Sequence, residues 1–488
     1  MTRSPIPPAV SCHLSTGGGH GTSRLSARAT EDSVCLADAP GWRVEATVIG
    51  SSPQAAVVTS GDLTVLLVGE VKDSDGPEAV LRLYRDLGPW AFSQLSGRFA
   101  AVVVHTSQSH ITVSGDHAGT VPLYMVHTWD GVIEVATEAK VLAGLSERGR
   151  PILGTDEVPG LRGVRRLRAG TCVTLQARGV GRFQDTWNVP AHRETVDPDE
   201  AVAQVRAVIE DAVRWQARDE MTTVLSGGID SSAVAATVKQ HLGGVSTVTM
   251  GTDRSDEFDS AAVVATHLGS SHREFSTTVA SVLAELPFVI ALTECCDPSI
   301  NEYMLPLSRL YREIPAGSRV MTGYGADIPL GGMHRGLADM DLEELIVDDL
   351  STFDGLNELS PNLGTHLGLW TCHPYWDRAV LQRLVTLAAG LKRRDGIDKW
   401  VLRQAFSDLL PAETVLRPKL GIHEGSGTTS HWSEVLLDQG VPSERIHAAK
   451  AQISQDVFDL VVVQAQDPAE IDLAAVTAGI VDREQVSA

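Results

Sequence analysis

A glycine turn joins an apolar run to a helical pattern in the segment TTVLSGGIDSSAVAA, residues 222–236. A strand that ends in such a turn and leads into a helix surrounds an anion with backbone N–H groups. Gly227 and Gly228 let the backbone come close to that anion, because neither residue carries a Cβ atom. The hydroxyl groups that add further hydrogen-bond donors belong to Ser226, Ser231 and Ser232.

Asp230 is the unusual member of this loop, since a carboxylate repels a phosphate group. A magnesium ion between the two removes the conflict, because Mg²⁺ binds carboxylate and phosphate oxygens together. The loop also lacks the lysine of a Walker A loop, which excludes that class of phosphate site. The tripeptide SGG alone is more often a plain connection between strand and helix. The hexad SGGIDS after an apolar strand predicts a pyrophosphate site with Mg²⁺.

The elements around this loop alternate between strand and helix patterns. The helical spacing of EAVAQVRAVIEDAVRWQA is followed by TTVLS, DSSAVAATVKQHL, VSTVTMG and DSAAVVATHLG. Such alternation predicts right-handed βαβ units and a parallel sheet. The C-terminal third is predicted to be mostly helical.

The first 190 residues have a different pattern. Short β-rich segments such as LTVLLVGEV, RFAAVVVH and TCVTLQA are separated by turn signals, which predicts packed antiparallel sheets. One helical segment, PEAVLRLYRDLG, is expected to end at Gly88. The charged stretch NVPAHRETVDPDE, residues 188–200, is predicted to be a linker. We therefore expect two domains, 1–190 and 191–488.

Bulk properties restrict the class of protein and its partners. A chain of 488 residues is too long for one ordinary core. Its net charge of -22 argues against nucleic acids and anionic membranes as partners. No apolar run reaches the roughly 20 residues of a membrane span, and the six cysteines form no C-x-x-C pair. We expect a cytoplasmic protein with free thiols.

The motif SGGIDSS resembles the pyrophosphate loop of the N-type ATP pyrophosphatases, which include the asparagine synthetases. LSGRFAAVVV, GDHAGTVPLYM and TEAKVLAGL are similar to the N-terminal glutaminase domain of that family, and DKWVLRQAFSDLLPAETVLRPKLGIHEG to its C-terminal signature. The resemblance implies ATP as the nucleotide. It also implies an Ntn-hydrolase-like αββα domain, followed by an adenine-nucleotide α-hydrolase-like parallel-sheet domain with a helical C-terminal part.

Two departures from the asparagine synthetases narrow the expected chemistry. Glutamine-dependent members carry a nucleophilic cysteine directly after Met1, where this chain has Thr2, and Cys12 lies too far along. The first domain is therefore expected to be an inactive amidotransferase-like scaffold. In TGYGADIPLGG, Tyr324 stands where asparagine synthetases carry glutamate. This combination resembles the β-lactam synthetases, which close a ring within one substrate.

The second resemblance implies a substrate and a reaction. Similarity through GTDRSDEF, STFDGLNELSP and GIHEGSGTTS points to the members that act on N2-(2-carboxyethyl)-L-arginine. Its carboxylate would be adenylated by ATP and then attacked by its own amine, giving deoxyguanidinoproclavaminate, AMP and pyrophosphate. Three alternatives stay open: a carbapenam synthetase acting on a carboxymethylproline, an asparagine synthetase-like amide ligase, and a catalytically inactive scaffold.

Residue roles follow from the same resemblance. The implied general base is Tyr324 backed by Glu358, and Lys419 is implied to steady the oxyanion and the pyrophosphate. The predicted nucleotide-binding residues are Leu225, Ser226, Gly227, Gly228, Asp230, Ser231, Met250, Gly251, Gly323 and Lys399. The predicted substrate-binding residues are Tyr303, Tyr324, Asp349 and Glu358, with Asp349 facing the guanidinium. The predicted magnesium ligands are Asp230 and Asp327. Residues 421–430 are predicted to form a flexible lid, and the expected partners are a small-molecule substrate and a second copy of the chain in a homodimer.

Overall fold

The structure is a computed structural model that describes residues 10–15, 33–39, 42–48, 55–72, 74–129, 133–176, 181–334, 339–353, 355–418 and 421–487. Its N-terminal part contains two antiparallel sheets. The strands are β1 Val10–Ser15, β2 Ser33–Ala39, β3 Trp42–Val48, β4 Ala55–Ser60, β5 Leu63–Val71, β6 Gly97–His105, β7 His110–Gly115, β8 Tyr124–His127, β9 Ile133–Ala136, β10 Thr155–Glu157, β11 Arg165–Leu167, β12 Thr171–Gln176 and β13 Arg182–Asp185. Their order is β10-β11-β8-β9-β1-β3-β2 in one sheet and β13-β12-β7-β6-β5-β4 in the other.

The second sheet lies between two apolar layers, because side chains alternate between the faces of a strand. Val102 and Val104 of β6 pack against the first sheet. Ala101 and Val103 of the same strand pack on the other face, against helix α1, Pro77–Leu87. Helix α1 ends at Gly88, whose φ of 58° suits glycine, as the sequence predicted.

The C-terminal part is built on a parallel sheet of five strands. These are β14 Thr222–Val224, β15 Ser246–Thr252, β16 Ser271–Thr277, β17 Arg319–Met321 and β18 Trp370–Cys372, and the short pair β19 Arg393–Arg394 and β20 Ile397–Asp398 lies apart from them. The order β16-β15-β14-β17-β18 places β14 at the centre. The helices are α2 Pro198–Gln216, α3 Ile229–Leu242, α4 Phe258–Leu268, α5 Val279–Leu283, α6 Leu286–Thr293, α7 Pro298–Tyr311, α8 Asp327–Leu330, α9 Asp339–Thr352, α10 Asn362–His366, α11 Arg378–Thr386, α12 Ala389–Lys392, α13 Trp400–Ala405, α14 Ala412–Leu416, α15 Ile422–Gly425, α16 Thr428–Asp438, α17 Ile446–Phe458 and α18 Leu473–Ser487.

The segment predicted to be a linker is shorter than expected. Helix α2 begins at Pro198, because the Asp197 carboxylate accepts hydrogen bonds from the backbone N–H groups of Asp199 and Glu200. Upstream of it, the Glu194 N–H donates to the Thr386 carbonyl at 2.7 Å. The second half of the stretch therefore belongs to the packed C-terminal part, and a domain boundary near residue 190 stays a prediction.

The two parts share a continuous interface. Tyr124, Val126 and Ala136 of the first sheet lie in the same apolar cluster as helices α6, α7 and α17. Polar contacts add to it: an Arg378 guanidinium nitrogen donates to the Ser93 carbonyl at 2.8 Å and to the Leu95 carbonyl at 3.1 Å. The predicted architecture, packed antiparallel sheets followed by a parallel sheet with a helical C-terminal part, is confirmed.

No single helix among the described residues has the length and apolar character needed to cross a membrane. One pair of segments, Val279–Thr293 with Pro298–Tyr311, reaches that length and composition only when the two are taken together across a bend of 108°.

Candidate active site

A cavity of about 650 Å³ opens at the carboxyl ends of the central strands, where ligands of parallel sheets bind. Most of the residues predicted from the sequence line it: Leu225, Ser226, Gly228, Asp230, Ser231, Met250, Tyr303, Gly323, Tyr324, Asp327, Asp349 and Glu358. Gly227, Gly251 and Lys399 lie behind this lining. Lys419 lies outside the described residues, so its predicted role stays a prediction.

The glycine loop connects β14 to α3 as the sequence predicted. The Ser226 N–H donates to the Ser231 hydroxyl at 3.1 Å, and that hydroxyl donates to the Gly228 carbonyl at 3.2 Å. These bonds close the loop on itself at the start of α3. Gly227 has a φ of 72°, and a Cβ atom there would lie 2.4 Å from the backbone carbonyl of Ser260. Glycine is therefore required by both conformation and space.

Replacing Gly227 with alanine tests the two requirements for glycine, which are the positive φ and the close approach of the Ser260 backbone. Gly227→Ala must accept positive φ, which costs roughly 1–2 kcal/mol, and must also displace the backbone at Ser260. Gly243→Ala is the matched control, since Gly243 has a φ of 73° and nothing within 4 Å of its Cβ position. We expect both variants to lose stability in urea denaturation, and only Gly227→Ala to lose ATP binding measured by calorimetry. Equal ATP affinity in the two variants would contradict the loop assignment.

A buried lysine joins the two predicted metal ligands. The Lys399 ammonium lies 2.5 Å from a carboxylate oxygen of Asp230 and 2.5 Å from one of Asp327. Its side chain is only 2% exposed. Asp230 comes from the first turn of α3 and Asp327 from the start of α8, so the tertiary fold brings them together. Lys399, predicted as a phosphate partner, thus contacts the acidic residues beside the loop.

The two carboxylates fit the requirements of magnesium. Among the described residues, no group of three or more His, Cys, Asp or Glu side chains could hold a metal ion by itself. Mg²⁺ at phosphate sites needs only one or two carboxylates, since phosphate oxygens and water complete its shell. Asp230 Oδ1 is buried and has no hydrogen-bond partner within the described ranges, which leaves an acceptor for such an ion.

Removal of the bridging ammonium should destabilise the fold. Lys399→Met leaves two buried carboxylates without their cation, and breaking a buried ion pair in this way costs about 3–5 kcal/mol. Lys392→Met is the matched control, because Lys392 is equally buried but donates to the Val385 carbonyl, and burial lowers its pKa to about 7. We expect urea denaturation to show the large loss for Lys399→Met alone. A comparable loss in both variants would mean that burial, and not the paired carboxylates, sets the cost.

Glu358 is held by hydroxyl groups on the far wall of the cavity. Its carboxylate is 1% exposed and accepts hydrogen bonds from the Tyr303 hydroxyl and, at 3.4 Å, from the Tyr311 hydroxyl. Burial raises the pKa of Glu358, while hydrogen bonds from Thr322, Tyr303 and Tyr311 oppose the rise. These bonds favour the charged form of a carboxylate that burial disfavours.

Tyr324 lines the same cavity within a group of aromatic rings. Its ring centroid lies 5.4 Å from Tyr303, 6.2 Å from His373 and 6.2 Å from Trp376, on which it stacks. Offset and edge contacts of this type fix the direction of a ring. The structure thus places Tyr324 and Glu358 on one cavity, with Tyr303 in contact with both. The pairing of the Tyr324 hydroxyl with Glu358 stays a prediction.

Other predicted residues occupy defined places. The His334 imidazole lies 2.7 Å from a carboxylate oxygen of Asp349. A Cβ atom at Gly323 would lie 2.5 Å from the Ser231 backbone nitrogen, so glycine lets this loop approach α3. A Cβ atom at Gly251 would lie 2.4 Å from the Asp256 Cβ atom, which explains a glycine at the end of β15.

The segment predicted to be a flexible lid, residues 421–430, is largely helical. It contains α15, Ile422–Gly425, and the start of α16 at Thr428. The Gly421 N–H donates to a Glu424 carboxylate oxygen at 2.9 Å, a capping contact that starts α15. Gly421, Ile422 and His423 line the cavity, so the start of this segment forms part of its wall.

Several residues of this site were not predicted from the sequence. One Arg417 guanidinium nitrogen donates to the Ser226 carbonyl at 2.7 Å and another to Glu257 at 2.9 Å. Arg417 stands two positions before Lys419 in the same RPK motif, a signal that could have identified it. Tyr311 offers no comparable signal, because its hydroxyl reaches Glu358 only through the fold.

Family comparisons agree with this geometry. The family model for asparagine synthase matches residues 204–351 and 342–470, and the model for the glutamine amidotransferase domain matches residues 70–181. The carboxyethyl-arginine beta-lactam-synthase of Streptomyces clavuligerus is 43% identical over 510 aligned residues, covering 98% of each chain. The chain belongs to the β-lactam synthetase family.

This β-lactam synthetase family member is also related to asparagine synthetases at lower identity. The glutamine-hydrolysing asparagine synthetase of Gallus gallus is 28% identical over 80% of this chain and 72% of its own length. Asparagine synthetase B of Escherichia coli is 25% identical over 76% and 69%. The solved structure of NMN synthetase from Francisella tularensis covers 57% of this chain and 98% of its own, at 13% identity and a TM-score of 0.26, too low to support a conclusion.

Proposed function

We propose that the chain closes a β-lactam ring at the expense of ATP, converting N2-(2-carboxyethyl)-L-arginine and ATP to deoxyguanidinoproclavaminate, AMP and pyrophosphate. One observation carries the proposal: the glycine loop and the Tyr324 and Glu358 side chains line a single cavity of about 650 Å³. A carboxylate activated at the loop meets the base without leaving that cavity. Membership of the β-lactam synthetase family supports the same reaction.

In the first half-reaction, an oxygen of the substrate's β-carboxylate attacks the α-phosphorus of ATP, and pyrophosphate leaves. Backbone groups at Gly227 and Gly228 hold the pyrophosphate at the start of α3. Asp230 and Asp327 would hold Mg²⁺, which offsets phosphate charge when bound. The product is a mixed anhydride with AMP as its leaving group.

In the second half-reaction, the secondary amine of the same molecule attacks the acyl carbon, AMP leaves, and the amine loses its proton. Orientation matters most, because a four-membered ring is strained, and well-placed groups reach effective molarities of about 10⁵–10⁸ M. Tyr324 accepts the proton in this proposal. An isolated tyrosine has a pKa of about 10, so it needs the nearby Glu358 carboxylate to act as a base.

Recognition of the substrate tail is assigned to Asp349. A guanidinium forms forked hydrogen bonds with a carboxylate, and Asp349 lies on the cavity wall. His334 already contacts this carboxylate, so it would share or release it when the tail binds. A cytoplasmic location and a homodimer stay predictions, the second checked by light scattering.

The reaction is tested with purified protein, ATP, Mg²⁺ and N2-(2-carboxyethyl)-L-arginine. We expect equal amounts of AMP, pyrophosphate and a product lighter than the substrate by one water, measured by enzyme-coupled assay and mass spectrometry. Turnover only with carboxymethylproline would favour a carbapenam synthetase. Turnover of aspartate with ammonia would favour an asparagine synthetase, and ADP in place of AMP would exclude all three.

A further inference from the structure

One arginine of the amidotransferase-type domain contacts two backbone segments of the synthetase domain. Arg98, at the start of β6, is 8% exposed. Its guanidinium donates to the carbonyls of Leu359 and Thr371 and, at 3.0 Å, to the Thr371 hydroxyl. It also lies 4.9 Å from the centre of the Trp370 ring. One side chain thus ties together two segments of the synthetase domain.

Both segments carry the groups around Glu358. Leu359 directly follows Glu358, and Thr371 lies two residues before His373, whose Nδ1 atom is 3.8 Å from a Glu358 oxygen. Among the described residues, no carboxylate oxygen comes within 4.0 Å of the Arg98 guanidinium. Its charge is therefore not cancelled by a direct ion pair.

The position of Arg98 is itself fixed within its own domain. The next residue, Phe99, donates its N–H to an Asp116 carboxylate oxygen at 3.0 Å, and the other Asp116 oxygen accepts from the Ala118 N–H at 2.9 Å. These residues belong to the LSGRFAAVVV and GDHAGTVPLYM motifs, which the sequence likened to a glutaminase domain.

We propose that Arg98 is a positioning residue for ring closure: by clamping the backbone beside Glu358, it holds that carboxylate in place. The inference rests on the proposed function, because it gives the amidotransferase-type domain a part in the synthetase reaction. Arg98 touches no reacting atom and acts through Glu358.

Electrostatics support this assignment. The positive charge of Arg98 lowers the pKa of Glu358, against the larger rise caused by burial. The other titratable groups that approach this carboxylate are Tyr303, Tyr311 and His373, and Tyr324 contacts Tyr303. Burial lowers the pKa of His373 well below its ordinary value. Loss of the arginine charge should therefore raise the pKa of Glu358. The acid limb of ring closure would move to higher pH.

The test compares Arg98→Gln with a control variant, Arg378→Gln. Like the test variant, the control removes hydrogen bonds from an arginine to two backbone carbonyls across the domain interface. ATP–pyrophosphate exchange dependent on N2-(2-carboxyethyl)-L-arginine reports adenylation, and single-turnover lactam formation reports ring closure. For Arg98→Gln we expect exchange to persist, lactam formation to fall by about 10- to 100-fold, and its acid limb to rise by about half a pH unit or more. Arg378→Gln should keep the wild-type profile.

The outcomes separate this inference from the proposed function. A wild-type protein without exchange or lactam contradicts the proposed function itself. If the wild type is active and Arg98→Gln has the same rate of lactam formation and the same pH profile as Arg378→Gln, the proposed role of Arg98 is wrong. If Arg98→Gln fails to fold, Arg98→Lys decides. Lysine keeps the charge but has a single nitrogen in place of the planar fork, whose two nitrogens bond the Thr371 and Leu359 carbonyls separately. Lactam formation should therefore fall while the acid limb stays in place. A wild-type rate for Arg98→Lys would overturn the clamp.

Discussion

Tyr324→Phe is expected to lower the rate of lactam formation by a factor of about 10² to 10⁴, the usual contribution of a positioned general base. The ring contacts with Tyr303, His373 and Trp376 do not involve the hydroxyl, so the variant should fold and keep its cavity. ATP–pyrophosphate exchange should continue, because adenylation precedes the proton transfer. Rapid-quench measurement of both half-reactions checks this result.

A tyrosine elsewhere supplies the control. Tyr84 is buried in the N-terminal domain, where its hydroxyl lies 2.6 Å from the Thr112 hydroxyl. Tyr84→Phe should therefore lose the hydrogen bonds of this hydroxyl with Thr112 and His110 and keep the wild-type rate of lactam formation. Wild-type turnover in Tyr324→Phe would falsify the base assignment. Loss of exchange in that variant would instead place Tyr324 in nucleotide or substrate binding.

Asp230→Asn should abolish adenylation, the first half-reaction. The substitution removes the charge of a carboxylate that approaches Lys399 through one oxygen and has its other oxygen buried without a partner in the described part of the chain. An amide is a poor magnesium ligand compared with a carboxylate, so the pyrophosphate leaving group loses its compensating charge. We expect ATP–pyrophosphate exchange to fall by about 10² or more, comparable with loss of one electrostatic stabiliser.

The matched control is Asp259→Asn, an exposed acidic residue in the first turn of α4. It should leave exchange unchanged. Titration with Mg²⁺ adds a second readout: excess metal should partly restore exchange in Asp230→Asn if the carboxylate acts through the ion. Exchange at the wild-type level and with wild-type metal dependence would remove Asp230 from the metal site.

Predictions from local sequence patterns were correct where the backbone conformation depends on residues adjacent in the chain. The loop at residues 225–228, the helix that follows it and the Gly88 end of α1 all appear where the sequence places them. Glycine content misled the prediction at residues 421–430, since the cap between Gly421 and Glu424 starts a helix there. The start of α2 was likewise missed although Asp197 and Pro198 are strong helix-start signals.

Local sequence patterns could not predict contacts between residues that are far apart in the chain. Lys399 approaches Asp230 across 169 positions and Arg98 approaches Leu359 across 261 positions. Contacts between residues so far apart produce no periodic pattern in the sequence, because they depend on how whole helices and strands pack together. Resemblance to a family supplied Tyr324 and Glu358, but it did not supply the Tyr303 and Tyr311 hydroxyls that hold the carboxylate.

The amino-acid sequence by itself determined the strand, the glycine turn and the helix that follows it, because backbone conformation there depends on a few adjacent residues. It also determined the two domain types and, by resemblance, the reaction. Only the tertiary structure decided which cation lies between Asp230 and Asp327, which hydroxyls hold Glu358, and that an arginine of the first domain bonds the backbone next to Glu358. The physical reason is that charge and hydrogen-bond partners in a buried site are chosen by proximity in space, which packing alone creates.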